Sequence, residues 1–326
     1  MLIFSGKASK IMHCDILPVF KAAQRVIGAT APNPPVAAAA YSLSGALLGV
    51  AAHEQYGGPH AEAALLTKAR TEGWLDQVNM IYVTLEPCNH HGLTPPCAQA
   101  LLDANIKRVA YGISDPNPKA AGGAEFLKDH GVNVQRGAGA DMAIMSLLPF
   151  LHRVKTGRPL VVVKQALRHN GSMIPDAGQK TFTDQAQLTL AHRMRKSCDT
   201  IVTGSGTVLA DNPAFTVRHV DDHINKTRRL VILDRQNRVS DIYKEEATMR
   251  GFDVSTADTL DAALAGQGLM TLVEAGPSIL SSIMKDDAWD VWVTLHEDGR
   301  TETAFNSSLS VHGTLDPGNA DLLWAL

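Results

Sequence analysis

A histidine and two cysteines constrain this chain more than any other feature. His60, Cys88 and Cys97 stand within the stretch from Gly57 to Cys97. One imidazole and two thiolates form a ligand set that suits Zn²⁺. Three protein ligands leave the fourth tetrahedral position open, which distinguishes a catalytic zinc from a structural one. The sequence therefore predicts a catalytic zinc site, with a structural or vestigial site as the alternative.

Glu62 lies two residues after His60, where it is a poor further ligand but a good proton carrier. Zinc lowers the pKa of bound water to near neutrality, and a neighbouring carboxylate can take and return the proton. An H-x-E element followed by a P-C element is the arrangement of zinc-dependent base deaminases. Their signature commonly ends in C-x-x-C, whereas eight residues separate Cys88 from Cys97 here.

Prolines mark the start of two helices at the candidate ligands. Pro59 precedes His60, and Pro95 and Pro96 precede Cys97. Proline is favoured in the first helical turn, and helix formers continue both segments. We therefore expect these two ligands at positive helix ends, which helps to hold a thiolate.

The composition is that of an ordinary globular protein with room for two domains. The chain has 326 residues, is 45% hydrophobic and 19% charged, and carries a net charge of -3. This balance gives no general reason to expect nucleic acid or an anionic membrane as a partner. No apolar run approaches the roughly 20 residues that span a bilayer, and the first ten residues do not form a secretory signal. We expect a cytoplasmic protein in which Cys14 and Cys198 are buried small hydrophobes.

Alternating strand and helix patterns from residue 80 onward predict an α/β fold with a largely parallel sheet. A helix within 13–28 and a hairpin over 37–53 are expected before them. The basic, Gly- and Pro-containing residues 150–159 are interpreted as a linker before a second α/β unit. The predicted domains are 1–153 and 158–326, and the stretch from Gly299 is expected to be loosely structured.

Loops supply further candidate binding residues. Asp115 and Asn117 follow a predicted strand, and loops at strand carboxyl ends bind ligands in open α/β sheets. Asn33 can reach a base edge. For all three, a plain turn is the alternative interpretation. In the second unit Gly204 and Gly206 can admit a phosphate, although Leu209 stands where a dinucleotide fingerprint requires its third glycine.

Four longer motifs carry a resemblance to a known family: PNPPV at 32–36, GGPHAE at 57–62, VTLEPCNHHGLTPPC at 83–97 and DPNPKAAGG at 115–123. From about Cys14 to Val293 the chain resembles the bifunctional riboflavin-biosynthesis deaminase/reductase family. The resemblance implies a cytidine-deaminase-like three-layer domain followed by a dihydrofolate-reductase-like domain. It also implies Zn²⁺ and NADPH as cofactors, a small-molecule pyrimidine nucleotide as substrate, and a homo-oligomer, dimer or tetramer.

The resemblance further implies two reactions. The first domain would deaminate 2,5-diamino-6-ribosylamino-4(3H)-pyrimidinone 5′-phosphate with Glu62 as proton shuttle, and the second would reduce the ribosyl to a ribityl chain. The implied deaminase substrate residues are Asn33, His53, Asp115 and Asn117. The implied reductase substrate residues are Lys164, Arg195, Asp211, Phe215, Arg218 and Glu274, and the implied cofactor residues are Gly204, Gly206, Thr207 and Gly276. The cations suit a phosphate ester, and the two carboxylates suit ribose hydroxyls.

The chain departs from the family pattern at several positions. Leu93 replaces a cation beside the deaminase site, and Arg168, Asn170 and Thr181 replace the usual Ser, Asp and Trp. A deaminase whose second domain lacks catalysis, and a zinc-stabilised scaffold without turnover, are therefore competing hypotheses. A nucleic-acid deaminase is disfavoured, because aromatic residues make up only 5% of the chain and no basic, aromatic-interleaved groove is evident.

Overall fold

The computed structural model describes residues 2–4, 12–90, 95–176, 178–179, 181–309, 315 and 317–326. Contacts divide the described residues into two compact units, separated after Lys155. The short 3₁₀ helix Pro317–Leu323 belongs to the first unit, where the Gln24 side-chain amide donates to the Asp321 carbonyl. The sequence-based boundaries had given this C-terminal segment to the second domain, because nothing in its composition reveals that partner.

Among its described residues, the first unit contains a five-stranded mixed sheet, a separate two-stranded ribbon and five α-helices. Its strands are β1 (Leu2–Phe4), β2 (Met12–Cys14), β3 (Ala37–Tyr41), β4 (Leu47–Ala52), β5 (Met80–Leu85), β6 (Arg108–Ile113) and β7 (Asn133–Arg136). Its helices are α1 (Leu17–Val26), α2 (Ala61–Thr71), α3 (Cys97–Asp103), α4 (Gly123–Asp129) and α5 (Ala140–Thr156), with a 3₁₀ turn at Leu75–Gln77. The sheet order is β4-β3-β5-β6-β7; β3 runs antiparallel to both neighbours, and β5, β6 and β7 are parallel.

Helices cover both faces of this sheet. On one face, Leu65 of α2, Leu101 of α3 and Leu127 of α4 pack with Ile81 and Val83 of β5 in one buried cluster. On the other face, the rings of Phe20 in α1 and Tyr82 in β5 meet edge to face at 6.1 Å. Successive strand residues point to opposite faces, and helices cover both faces, so all six residues of β5 are buried.

The predicted linker over 150–159 is wrong for residues 150–156, which belong to α5. Residues 150–156 complete this 17-residue helix, and only Gly157–Pro159 connect it to the next strand. Phe150, Leu151 and His152 are buried, so their packing outweighs the breaker-rich composition that follows. Gly157 has a φ of +75°, a left-handed conformation that suits glycine where a helix ends.

The described part of the second unit contains a seven-stranded sheet. Its strands are β8 (Leu160–Leu167), β9 (Thr200–Gly204), β10 (Arg228–Leu233), β11 (Phe252–Ala257), β12 (Met270–Val273), β13 (Val291–His296) and β14 (Thr301–Phe305). Its helices are α6 (Gln185–Ser197), α7 (Ser205–Asp211), α8 (Asp241–Met249), α9 (Leu260–Leu264) and α10 (Pro277–Lys285). The strand order is β11-β10-β9-β12-β8-β13-β14, parallel except for the antiparallel pair β13–β14.

Strand β14 shows that the expectation of loose structure from Gly299 was wrong for residues 301–305. Its five residues pair with β13 in continuous register, from Leu295 with Thr301 to Val291 with Phe305. Backbone pairing at a sheet edge thus orders a polar segment that buries little apolar surface. None of the described helices is both long and apolar enough to cross a membrane.

Candidate active site

Three separate elements bring the candidate metal ligands together. His60 immediately precedes α2, Cys88 follows β5, and Cys97 begins α3. The His60 Nδ1 atom lies 3.5 Å from the Cys88 sulfur and 3.4 Å from the Cys97 sulfur. All three ligand atoms lie within 4.8 Å of one another.

This donor set fits a zinc ion. Tetrahedral Zn²⁺, with bonds of about 2.3 Å to sulfur and about 2.0 Å to nitrogen, would hold such atoms about 3.5 Å apart. Hydrogen bonds from the Cys97 side chain, from His60 and from the Cys97 backbone N–H lower the pKa of the Cys88 thiol well below its usual range, against the opposing effect of burial. Zinc binds the thiolate form of cysteine, which these contacts favour at Cys88.

Glu62 lies in the first turn of α2, beside the ligands and away from water. Its side chain is only 3% exposed. Burial, reinforced by the charge of Cys88, raises the pKa of the carboxyl group to about 7. A carboxyl group of this kind can both accept and return a proton near neutral pH, as a general acid–base catalyst must.

A cavity of about 350 Å³ opens onto this centre. It is large enough for a small molecule, since ligand pockets commonly begin near 300 Å³. The structure brings all the predicted deaminase substrate residues to its lining together with Glu62. These residues are Asn33, His53, Asp115 and Asn117.

His53 orients Asn33 within the cavity. His53 is buried, and its Nδ1 lies 2.9 Å from the Pro59 carbonyl, to which it can only donate. Burial lowers the pKa of His53, which favours the neutral ring, so Nε2 is left as an acceptor for the Asn33 amide at 3.3 Å. The side-chain amide nitrogen of Asn33 thus faces His53, and the amide oxygen of Asn33 remains available to accept a hydrogen bond from a ligand.

Sequence reasoning missed Glu86, which also lines the cavity. Its buried carboxylate accepts hydrogen bonds from three backbone N–H groups, those of Asp115, Gly122 and Ala124. The only signal in the sequence is an acidic residue placed directly after an apolar strand. That position alone does not reveal its partners, because they follow 29 to 38 residues later.

In the second unit, Glu274 joins two of the predicted phosphate-binding cations. Its carboxylate accepts from Lys164 Nζ at 2.9 Å and from Arg195 Nε and a terminal guanidinium nitrogen at 2.5 and 2.8 Å. Burial alone would raise the pKa of Glu274, but the charges of Arg195 and Lys164 hold it well below its usual range. The three side chains form one largely buried network with a single net positive charge.

The remaining substrate candidates of this unit lie beyond that network. Phe215 has a left-handed φ of 55°, and its ring centroid is 5.9 Å from the Arg195 guanidinium carbon. Arg218 is exposed and donates through its side chain to the Thr216 hydroxyl. Asp211 is exposed at the end of α7. Arg218 is therefore placed to meet an anion from solvent, whereas Arg195 is held by Glu274.

The predicted cofactor residues meet at the carboxyl ends of two neighbouring parallel strands. The Gly276 N–H donates to the Thr207 hydroxyl at 3.0 Å and so links the start of α10, after β12, to the first turn of α7, after β9. A Cβ atom on Gly204 would lie 2.4 Å from the Ile279 side chain, so close packing explains that glycine. A Cβ on Gly206 would meet nothing within 4 Å, which leaves room for a ligand there.

The departures from the family pattern have local partners. The Arg168 guanidinium makes two hydrogen bonds of 2.6 Å to Asp176 and a longer one to Glu297. Asn170 accepts from the Ser172 N–H, and the hydroxyl of Thr181 lies 2.7 Å from that of Thr183. Leu93 lies outside the described residues.

Comparison with known proteins identifies both halves of the chain. Residues 13–113 match the cytidine and deoxycytidylate deaminase zinc-binding region, and residues 170–295 match the RibD C-terminal domain. The riboflavin biosynthesis protein RibD of Corynebacterium ammoniagenes is 35% identical over 295 residues, which cover 88% of this chain and 86% of that protein. The chain belongs to the RibD family.

Solved RibD-family structures share the fold. A Thermotoga maritima diaminohydroxyphosphoribosylaminopyrimidine deaminase/5-amino-6-(5-phosphoribosylamino)uracil reductase is 27% identical, with a TM-score of 0.75 over 93% of this chain and 88% of that one. RibD of Acinetobacter baumannii, form 1, is 29% identical, with a TM-score of 0.71 over 86% of this chain and 85% of that one.

These findings confirm the predicted family, fold class and cofactors, Zn²⁺ and NADPH. A small-molecule substrate is consistent with a RibD-family enzyme. The roles of individual residues and the domain boundaries stay predictions.

Proposed function

We propose that this chain is a bifunctional enzyme of riboflavin biosynthesis. It deaminates 2,5-diamino-6-ribosylamino-4(3H)-pyrimidinone 5′-phosphate and then reduces the ribosyl group to a ribityl chain with NADPH. The observation that best supports the deaminase is the convergence of His60, Cys88, Cys97 and buried Glu62 on one cavity. Family membership supports the pairing of this activity with a reductase.

In the deaminase, the side chains of this chain bind the pyrimidine and move the proton. His60, Cys88 and Cys97 would hold Zn²⁺, which would supply the activation of a water molecule. Glu62 takes a proton from the attacking water and delivers it to the departing amine, so ammonia leaves and a carbonyl remains. Asn33, with its amide fixed by His53, accepts a hydrogen bond from the pyrimidine.

In the reductase, bound NADPH would supply the hydride for the ribosyl carbon that carries the amine, and the ring oxygen of the opening sugar would take up a proton. Gly206 provides space for the cofactor, and the Thr207 hydroxyl joins the start of α7 to the start of α10. The net positive network of Lys164, Arg195 and Glu274, supplemented by exposed Arg218, favours a phosphate ester near the substrate site.

A Glu62→Gln variant tests the deaminase assignment. The amide keeps the shape of the side chain but cannot accept and return the proton. We expect ammonia release to fall by roughly 10²- to 10⁴-fold while the zinc content, measured by metal analysis, stays unchanged. Glu54→Gln is the matched control, because Glu54 is an exposed carboxylate of the same unit. Unchanged ammonia release in the Glu62 variant would contradict its role.

The wild-type protein separates the competing hypotheses. Ammonia release from the diamino substrate together with NADPH oxidation on the deaminated product is expected. Ammonia release alone would leave a deaminase with a non-catalytic second unit. Zinc binding without either reaction would favour a scaffold. The cytoplasmic location and the homo-oligomeric state, with neither nucleic acid nor membrane as partner, stay predictions.

A further inference from the structure

The Glu86 carboxylate forms a junction between two loops of the first unit. Glu86 follows β5 and is 8% exposed. One of its oxygens accepts from the N–H groups of Gly122 and Ala124, each at 3.1 Å, and the other accepts from the Asp115 N–H at 3.3 Å. No basic side chain forms an ion pair with Glu86 in the part of the chain that the structure describes. Three backbone donors therefore balance this buried charge.

The backbone of residues 86–89 lies against the loop of residues 115–124. A Cβ atom on Gly123 would lie 1.9 Å from the Pro87 carbonyl oxygen, so the two backbones are in direct contact. Two residues further on, the Asn89 N–H donates to the Ala120 carbonyl at 3.0 Å. The segment from Glu86 to Asn89 is thus fixed to residues 115–124 at both ends.

Each side of this junction carries part of the proposed deaminase site. Cys88, a zinc ligand, lies two residues after Glu86. On the opposite side, Asp115 accepts from the Asn117 N–H at 2.8 Å, and Asn117 accepts from the Lys119 N–H at 3.1 Å. These turns depend on one another, so a displacement of the Asp115 backbone would also displace Asn117.

We propose that Glu86 is a positioning residue that sets the loop of Asp115 and Asn117 at its working distance from the zinc ligand Cys88. Glu86 does this through three backbone hydrogen bonds and not through contact with the reacting atoms. The inference rests on the proposed deaminase function, in which Asp115 and Asn117 hold the pyrimidine nucleotide. Its consequence is that Glu86 controls substrate binding more than the chemical step.

A Glu86→Gln variant tests this proposal. The amide preserves the shape but turns an NH₂ group toward at least one backbone donor. We expect KM for the diamino substrate to rise roughly ten- to one hundred-fold, with kcat and zinc content nearly unchanged. Glu125→Gln on the exposed face of α4 is the matched control and should behave as wild type. A lower melting temperature and lower kcat at unchanged KM would indicate a merely structural role and overturn the proposal.

A double-mutant cycle with Asn117→Ala separates this proposal from the proposed function. If Glu86 acts through the loop, Glu86→Gln should raise KM by a smaller factor in the N117A background than in the wild type, because one of the two contacts that Glu86 positions is already lost. Additive effects on KM would overturn the proposal. An unchanged KM in N117A would instead contradict the proposed role of Asn117, and the KM of E86Q would then decide the Glu86 proposal. Glu86→Asp, whose carboxylate is one methylene shorter, replaces E86Q should that variant not fold, and the same rise in KM is expected.

Discussion

The contacts of Glu274 in the structure differ from the role that the motif resemblance implies for it. The motif resemblance suggests a carboxylate for ribose hydroxyls and two cations for a phosphate. The folded chain instead joins Glu274 to Lys164 and Arg195 within hydrogen-bonding distance. A buried carboxylate so placed stabilises the two cations that surround it. The network therefore acts as a unit with one net positive charge, and its cations do not act as separate phosphate ligands.

Glu274→Gln should destabilise the second unit strongly. The amide leaves two buried cations without their counter-charge, and breaking a buried pair typically costs about 3–5 kcal/mol. Urea unfolding at pH 7 measures this loss. Glu246→Gln, which removes a partly exposed pair with Arg250, is the control and should cost less than about 1 kcal/mol. Equal losses in the two variants would contradict the importance of the network.

The same carboxylate predicts a dependence on pH. The pKa of Glu274 in the folded protein lies below its unfolded value, so the unfolded chain binds the proton more readily. Its stabilising contribution is therefore complete above the unfolded pKa of about 4.3 and declines as pH falls below it. The difference in stability between wild type and Glu274→Gln should shrink in that acidic range.

At the scale of secondary-structure elements, the sequence predicts the helices and strands whose alternation of apolar and polar residues reflects burial. The hairpin of β3 and β4, the zinc-site helices and the alternating strands all carry apolar periodicity, and all are present. Helix α5 was partly misread, because Arg153, Lys155 and Gly157 resemble a linker although the preceding turn is buried. Strand β14 escaped prediction since backbone pairing with β13 defines it, and side-chain patterns do not record such pairing.

Within the site too, residues defined by side-chain chemistry could be predicted, and residues defined by backbone contacts could not. The zinc ligands and Glu62 could be predicted because metal chemistry restricts both residue type and spacing. Glu86 could not, since its partners are backbone N–H groups, which every residue except proline provides. Asn33 and His53 were predicted as separate contacts, and only the structure shows that one orients the other.

Gly123→Ala should disturb the zinc site through the backbone of its neighbour. A Cβ at this position cannot coexist with the Pro87 carbonyl, so α4 or the Cys88 turn must move. We expect destabilisation of about 1–3 kcal/mol, as for overpacking elsewhere, and a weaker zinc affinity. Competition with a chromophoric chelator measures the affinity.

Gly206→Ala is the steric control, because a Cβ there meets nothing within 4 Å. It should leave both zinc affinity and stability near wild type. If Gly123→Ala behaved like this control, the close backbone contact would carry no consequence for the metal site.

At the scale of the whole molecule, each proposed site is built from residues of one compact unit. The zinc ligands and cavity residues belong to the first unit, and the residues proposed for the ribosyl reduction belong to the second. The chemistry of one half therefore should not require the cofactor of the other.

Removal of zinc should separate the two activities. Treatment with a strong chelator is expected to abolish ammonia release and to leave NADPH oxidation on the deaminated substrate within about twofold of wild type. Readdition of Zn²⁺, but not of Mg²⁺, should restore ammonia release, because thiolate and imidazole ligands select the softer metal. Loss of both activities on chelation would show that the second unit depends on the metal.

The spacing of the zinc ligands also has a consequence for how the protein folds during its synthesis. His60, Cys88 and Cys97 lie 28 and then 9 positions apart, and α2, β5 and α3 deliver them separately. A metal bound to all three closes two chain loops at once, so its affinity is linked to the folding of the segment between them. On the ribosome, the three-ligand zinc site cannot form until α3, which carries Cys97, has been synthesised. Zinc supply during translation should then influence how much of the newly made protein matures.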